Sequence, residues 1–251
     1  MSEISIKIKE KIYKNKSNGL DILALKNIDI KIKSKEFLCV VGPSGCGKTT
    51  LMNIIGGLVK CEQQEILVNQ KALSEKNSLG YIFQTSRLLP WLTVFENVKL
   101  VCQNNEDYDQ KILRILKNFG LNDFIDAFPN TISGGMRRRV SIARAFINSP
   151  DVLLMDEPFI SLDQPASEDL YSVLINYWKK KPTTVILITH SLREALLLGD
   201  RILFMSNRPG KVILDYSVKS SRQKLKIDCK EVEKEYLFLN KHHPTILKGV
   251  L

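Results

Sequence analysis

No apolar run in the sequence approaches the roughly 18–20 residues that a membrane-spanning helix needs. Thr184–Thr189 and Leu196–Leu198 are too short, and charges interrupt anything longer. Met1 to Lys11 alternates Ile with Lys and Glu and contains no apolar h-region, so no secretory signal is visible. The expectation is a soluble chain, or one held at a membrane only through a partner. Cys39, Cys46, Cys61, Cys102 and Cys229 form no CxxC pair and no metal-like spacing. An odd, unpaired set of thiols fits a reducing cytoplasm. Internal repeats and low-complexity tracts are absent from the sequence. With 251 residues, 44% hydrophobic and 25% charged, the chain is neither collagen, disordered tract nor disulfide miniprotein, and it can bury a full core. Acid is the scarcer charge, giving a net +10. Such a balance suits nucleic acid or anionic membranes. The lysines, however, are scattered over Lys7–Lys16 and Lys219–Lys248, often beside Asp or Glu, as on a solvated surface.

Phe37-Leu-Cys-Val-Val41 is a continuous apolar run, suited to a strand buried on both faces. Gly42-Pro43-Ser44-Gly45-Cys46-Gly47-Lys48-Thr49-Thr50 follows at once, and then Leu51, Ile54, Ile55 and Leu58 recur at helical spacing. Strand, glycine loop and helix are the context that gives G-x-x-x-x-G-K-[ST] a mechanism. Glycines let backbone N–H groups converge on an anion, and the helix start adds partial positive charge. Lys48 would neutralise β- and γ-phosphates, and the Thr49 hydroxyl would bind Mg2+.

Two further segments carry chemistry. Asp151-Val-Leu-Leu-Met-Asp156-Glu157-Pro158 is an apolar strand ending in paired acids, where ligands bind in open α/β sheets. There Asp156 would reach a metal through its water shell and Glu157 would act as general base; the alternative is a solvated strand end. Ser133-Gly134-Gly135 precedes Met136 to Asn148, with Met136, Val140, Ala143 and Ile147 on one helical face. Arg137, Ser141, Arg144 and Asn148 fall on the other. Ser133 is a good N-cap and the glycines open the helix start to close approach. An ordinary capped helix with an arginine-rich solvent face is the competing reading.

Gly42–Thr50, Gln84, Ser133–Met136, Asp156–Glu157, Ser161-Leu-Asp163 and His190 occur in the order of the ATP-binding cassette transporters. They resemble, in turn, the Walker A loop, Q-loop, signature, Walker B, D-loop and switch histidine, and the resemblance covers residues 5–215. Leu88-Leu-Pro-Trp-Leu-Thr-Val-Phe-Glu-Asn-Val98, Glu194-Ala195, Asp200-Arg201 and Arg208-Pro-Gly210 are similar to the nitrate/sulfonate/taurine branch of importer ATPases. The chain departs from the family pattern at Ser34-Lys35, Gln63-Gln64, Asn69-Gln70 and Arg138, which leaves the turns between Lys60 and Gln70 open.

The resemblance implies an α/β fold of P-loop NTPase type, with a mostly parallel core sheet, an antiparallel β portion and an inserted helical subdomain. Residues 1–85 and 150–215 would form the nucleotide-binding core and 86–149 the helical subdomain carrying the signature. Residues 216–251 form a tail of unassigned role. The parallel strands end near Val41, Asp156 and Thr189, while the antiparallel portion occupies the N-terminus and 62–83.

The resemblance further implies two subunits packed head to tail around two ATP molecules. Each ATP would be held by Gly42–Thr50 of one chain and Ser133, Gly134 and Gly135 of the other, acting in trans. Gln84 would touch Mg2+ and the attacking water, with Thr49 and Asp156 completing the metal set. His190 would contact the γ-phosphate, unless it is simply the polar end of its strand. Asp163 would order the dimer contact. Tyr13 would stack on adenine; the alternative is a tyrosine packed on the sheet. Cys46 contributes only its backbone. The implied partners are a second ATPase subunit, membrane permease subunits and, indirectly, an extracytoplasmic solute-binding protein. No nucleic acid is expected, and the location would be the cytoplasmic face of the membrane. Two rivals stay open: a nucleic-acid-linked cassette ATPase and a small-molecule P-loop kinase.

Overall fold

The computed structural model describes residues 4–14, 20–68, 71–72, 79–102, 108–160, 162–219 and 230–251. Asn69-Gln70, Ser161 and Cys229 lie outside them. The chain divides into two compact units, Met1–Asn77 with Thr184–Leu251, and Ser78–Thr183. Among the described residues no helix is long and apolar enough to cross a membrane.

The first unit holds an antiparallel sheet of β1 (Ile4–Tyr13), β2 (Ile22–Ile32), β4 (Gln64–Val68) and β5 (Lys71–Ala72), in the order β2-β1-β4-β5. Its alternation is visible in β1, where Ile4, Ile6 and Ile8 are buried and Lys7 and Lys9 exposed. Register puts Ile4 against Ile32, Ile6 against Ile30 and Ile8 against Ile28, so isoleucines stack on one face. The same unit contains β3 (Phe37–Val41), β8 (Thr184–Ile188), β9 (Arg201–Met205) and β10 (Val212–Ser217). Strand β3 runs parallel to β8 and to β9, and β10 closes antiparallel on β9. Every residue of β3 and β8 is buried, as continuous apolar strands require.

Asp200 and Arg201 tie this part together. The Asp200 carboxylate accepts from the Phe37 N–H at 2.9 Å, while Arg201 bridges Glu36 at 3.1 Å and Asp215 at 2.6 Å. Helix α1 (Lys48–Ile55) buries Leu51, Met52, Ile54 and Ile55. Helix α6 (Leu192–Leu198) packs on β3, and α7 (Lys230–His242), in the tail of unassigned role, packs on α6.

The second unit pairs β6 (Leu79–Ile82) with β7 (Val152–Asp156) in parallel. The sequence places 79–82 in the antiparallel portion; pairing with the apolar β7 overrides that expectation. Gly80 permits it, since a Cβ there would lie 2.8 Å from the Ala145 carbonyl and 2.9 Å from Leu153. Helices α2 (Val94–Lys99), α3 (Asp109–Asn118), α4 (Gly134–Phe146) and α5 (Gln164–Lys180) complete it. Phe119, Phe146 and Tyr177 interlock with centroids 4.9–6.4 Å apart.

Candidate functional site

In the first unit, β3 delivers the chain to Gly42 and the loop turns through two left-handed glycines, Gly45 (φ 74°) and Gly47 (φ 110°). A Cβ at Gly47 would come within 2.8 Å of Leu25 and 2.9 Å of the Ala24 carbonyl, so only glycine fits. Lys48 opens α1 and folds its side chain back into the loop. Its Nζ donates to the carbonyls of Gly42 (2.8 Å) and Pro43 (2.9 Å). These bonds take two of three ammonium donors and involve no carboxylate, so the buried charge is left for an anion. Burial pushes the Cys46 thiol up, with Lys48 opposing. Thr49 is exposed and Thr50 half-buried. The Tyr13 hydroxyl donates to Thr50 Oγ1 at 3.4 Å, and its ring lies open, with Lys11 Nζ 5.0 Å from the centroid. His190, exposed after β8, stands between buried Thr189 and Ser191, which caps α6 by accepting from Glu194 N–H.

In the second unit, β7 ends at buried Asp156, and Glu157 follows with a left-handed backbone (φ 44°). The structure brings Gln84 and Glu157 together: Gln84 Nε2 donates to Glu157 Oε2 at 3.3 Å. The Gln84 segment is held from α4. Arg138, 5% exposed, donates to the carbonyls of Phe83 (2.6 Å) and Gln84. Arg144 donates to Ser86 (3.0 Å) and Arg87 (2.9 Å) carbonyls. Arg137 likewise caps the Pro129 and Ile132 carbonyls at 3.1 and 2.6 Å. The arginine-rich solvent face is thereby corrected, because these guanidiniums end on loop carbonyls and Ser141 beside them is buried. Sequence reading missed Arg138 as a support for Gln84; its one signal is the departure from the family's usual residue.

Ser133 Oγ accepts from Met136 N–H at 3.2 Å and so caps α4. A Cβ at Gly134 would meet nothing nearer than Arg137 at 3.8 Å, and one at Gly135 nothing nearer than Ser133 at 3.9 Å. The chain's own packing does not demand these two glycines. Asp163 caps α5, accepting from Ala166 N–H at 2.8 Å. Among the described residues no cluster of three His, Cys, Asp or Glu could hold a metal.

A profile described as ABC transporter matches residues 25–160. The chain belongs to the ABC transporter family. This cassette is 39% identical over 222 residues to a taurine import ATP-binding protein TauB of Ruegeria pomeroyi, covering 86% of this chain and 83% of that protein. It is 38% identical over 229 residues to an aliphatic sulfonates import ATP-binding protein SsuB of Bacillus cereus, covering 90% and 91%. Among solved structures, it resembles a dimeric post-hydrolysis state of the ATP-binding cassette MJ0796 bound to ADP and Pi. There the TM-score is 0.74 at 32% identity, over 87% of this chain and all of that one. The fold is therefore the α/β fold of the ABC ATPases, and the cassette is an ATPase.

Proposed function

We propose that this cassette is the ATP-hydrolysing subunit of an importer for sulfonate-like or other small anionic solutes. The observation that carries the nucleotide chemistry is Lys48 folded into a loop that only glycine can build. The solute class is that of the taurine and sulfonate import proteins to which the chain is similar.

Triphosphate would lie against Gly42–Thr50, with Lys48 neutralising its β- and γ-oxygens and adenine stacked on Tyr13. Mg2+ would arrive with the phosphates, with Thr49 offering a hydroxyl, Gln84 an amide oxygen and Asp156 a carboxylate; among the described residues no group of three His, Cys, Asp or Glu forms a cage of its own. When bound it would neutralise negative charge on the phosphate oxygens. Glu157 accepts the proton of the attacking water at its carboxylate, and the Gln84 amide orients that water. The new bond joins water oxygen to the γ-phosphorus as the bond to the β-phosphate oxygen breaks, releasing ADP and phosphate. His190 donates to the γ-phosphate as negative charge moves.

Ser133, Gly134 and Gly135 would clamp the nucleotide of a second copy, which accounts for two glycines the chain's own packing does not need. Asp163 would sit at that contact. The permease would receive the motion, and the cassette would lie at the cytoplasmic face of the membrane through it. A solute-binding protein would supply cargo on the far side.

The test is Glu157→Gln. It should bind ATP at parental affinity, lose turnover by ~10²-fold or more and accumulate a nucleotide-bound dimer in light scattering. Hydrolysis at the parental rate would remove Glu157 from the role of base. Ser133→Arg should hold ATP yet never dimerise; a kinase built on the same loop would stay active.

A further inference from the structure

The loop that follows β9 touches the phosphate loop at two consecutive peptide groups. Arg208 donates to the Gly45 carbonyl through Nε at 3.2 Å and Nη2 at 2.9 Å. Gly210 is pressed against the next carbonyl, since a Cβ there would lie 2.2 Å from the oxygen of Cys46. In a trans peptide the C=O and the following N–H point opposite ways. Holding the Gly45 and Cys46 carbonyls outward therefore turns the Cys46 and Gly47 N–H groups toward the inside of the loop, where the Cys46 N–H rests at 3.4 Å on the Pro43 carbonyl, a weak bond that an anion can displace. Those are donors of the kind that converge on phosphate.

The 207–210 loop is itself anchored at both ends. Gly210 exchanges backbone bonds with β2, its N–H donating to Ala24 (2.9 Å) and its carbonyl accepting from Lys26 N–H (3.0 Å). At the other end, Asn207 donates from Nδ2 to the Lys248 carbonyl at 2.8 Å and from its N–H to the Gly249 carbonyl at 3.3 Å. The Thr245–Val250 turn is closed by Thr245 Oγ1 donating to the Val250 carbonyl at 3.1 Å. Its Gly249 is left-handed (φ 76°), and a Cβ there would meet Asn207 N at 2.5 Å and Pro43 Cγ at 3.0 Å. The turn thus presses on both the loop's anchor and the phosphate loop.

We propose that Asn207–Gly210, held by the Thr245–Val250 turn, is a brace that aims the phosphate loop's backbone donors, with Arg208 as its positioning residue. Nucleotide affinity then depends on residues near position 249 that bear no group able to touch the nucleotide. The brace rests on the reading of Gly42–Thr50 as the ATP site.

The test uses the full chain, with calorimetric binding of Mg-ADP, steady-state ATP hydrolysis and thermal unfolding measured together. Replacing two charge-assisted bonds, Arg208→Met should raise Kd for ADP and KM for ATP by the same factor, about tenfold, with a much smaller change in kcat. Arg208→Lys, which restores one donor to Gly45, should recover most of that loss. Asn207→Ala and Gly249→Val should weaken binding in the same direction. If they lower the melting temperature while Kd and KM stay parental, the contacts are only structural and the brace is refuted. If Gly249→Val fails to fold, exposed Arg208 decides the matter alone. Parental protein that binds no ADP would instead overturn the nucleotide site itself, and the brace with it.

Discussion

Glu157 combines a carboxylate beside Gln84 with a backbone in the left-handed region. A non-glycine residue held there costs about 1 kcal/mol or more, and such strain persists where the surroundings over-determine it. Here β7 fixes the residue before and buried Pro158 the residue after. At Cys46 the thiol is 1% exposed and its pKa is raised by burial, so little thiolate forms at mild pH. With iodoacetamide at pH 8, peptide-resolved mass spectrometry should find half-buried Cys61 labelled at least ~10-fold faster than Cys46. Equal rates would mean that the Gly42–Thr50 loop opens far more than its packing indicates. Tyr216 is a third such group. Burial, then Glu235, which accepts from its hydroxyl at 2.7 Å, pushes this phenol above its ordinary 10.0.

Helix α2 illustrates how an element fixes a loop. Thr93 and Glu96 form a capping box, each side chain serving the other's backbone N–H. Fully buried Asn97 then reaches back. Its Oδ1 accepts from Leu89 N–H at 2.8 Å, and its Nδ2 lies 2.9–3.1 Å from the carbonyls of Leu89, Leu92 and Thr93. The Leu88–Thr93 segment, with exposed Trp91 at its tip, is thereby pinned to a helix. Asn97→Ala should cost about 2–3 kcal/mol in urea unfolding, because several buried backbone groups lose their partner at once. A cost below half of that would mean that water replaces the amide. In the tail, α7 docks through Arg193, which pairs with Glu233 at 3.0 Å and covers the Tyr236 ring at 3.9 Å. The pair is about half exposed and screened by salt, so the docking leans more on buried Val232 and Leu239.

For the whole molecule, Tyr81, Tyr177 and Tyr216 all have phenols raised by burial. Between the ordinary phenol value and the raised ones the native state binds more protons than the unfolded chain, so stability falls as pH rises. It should be intact below pH 10 and decline above it, and Tyr216→Phe should flatten the decline in urea midpoints measured from pH 8 to 11. A midpoint independent of pH would refute this. Much of the architecture was legible in the chain because it is local. The apolar run Phe37–Val41, the glycines and lysine after it, the Ser133 cap and the apolar strand to Asp156 each act within a few residues. The sequence also offered Gln84, Glu157 and His190 as an amide, a carboxylate and an imidazole at segment ends. It could not show that β6 would run parallel to β7, because 79–82 does not reveal its neighbour. Nor could it show that Arg137, Arg138 and Arg144 end on carbonyls, since helical periodicity places a residue on a face without saying what covers that face. Arg208 meets Gly45 across 163 positions of chain. Short-range stereochemistry chose the elements; hydrogen-bond partners that far apart exist only once tertiary packing has brought them together.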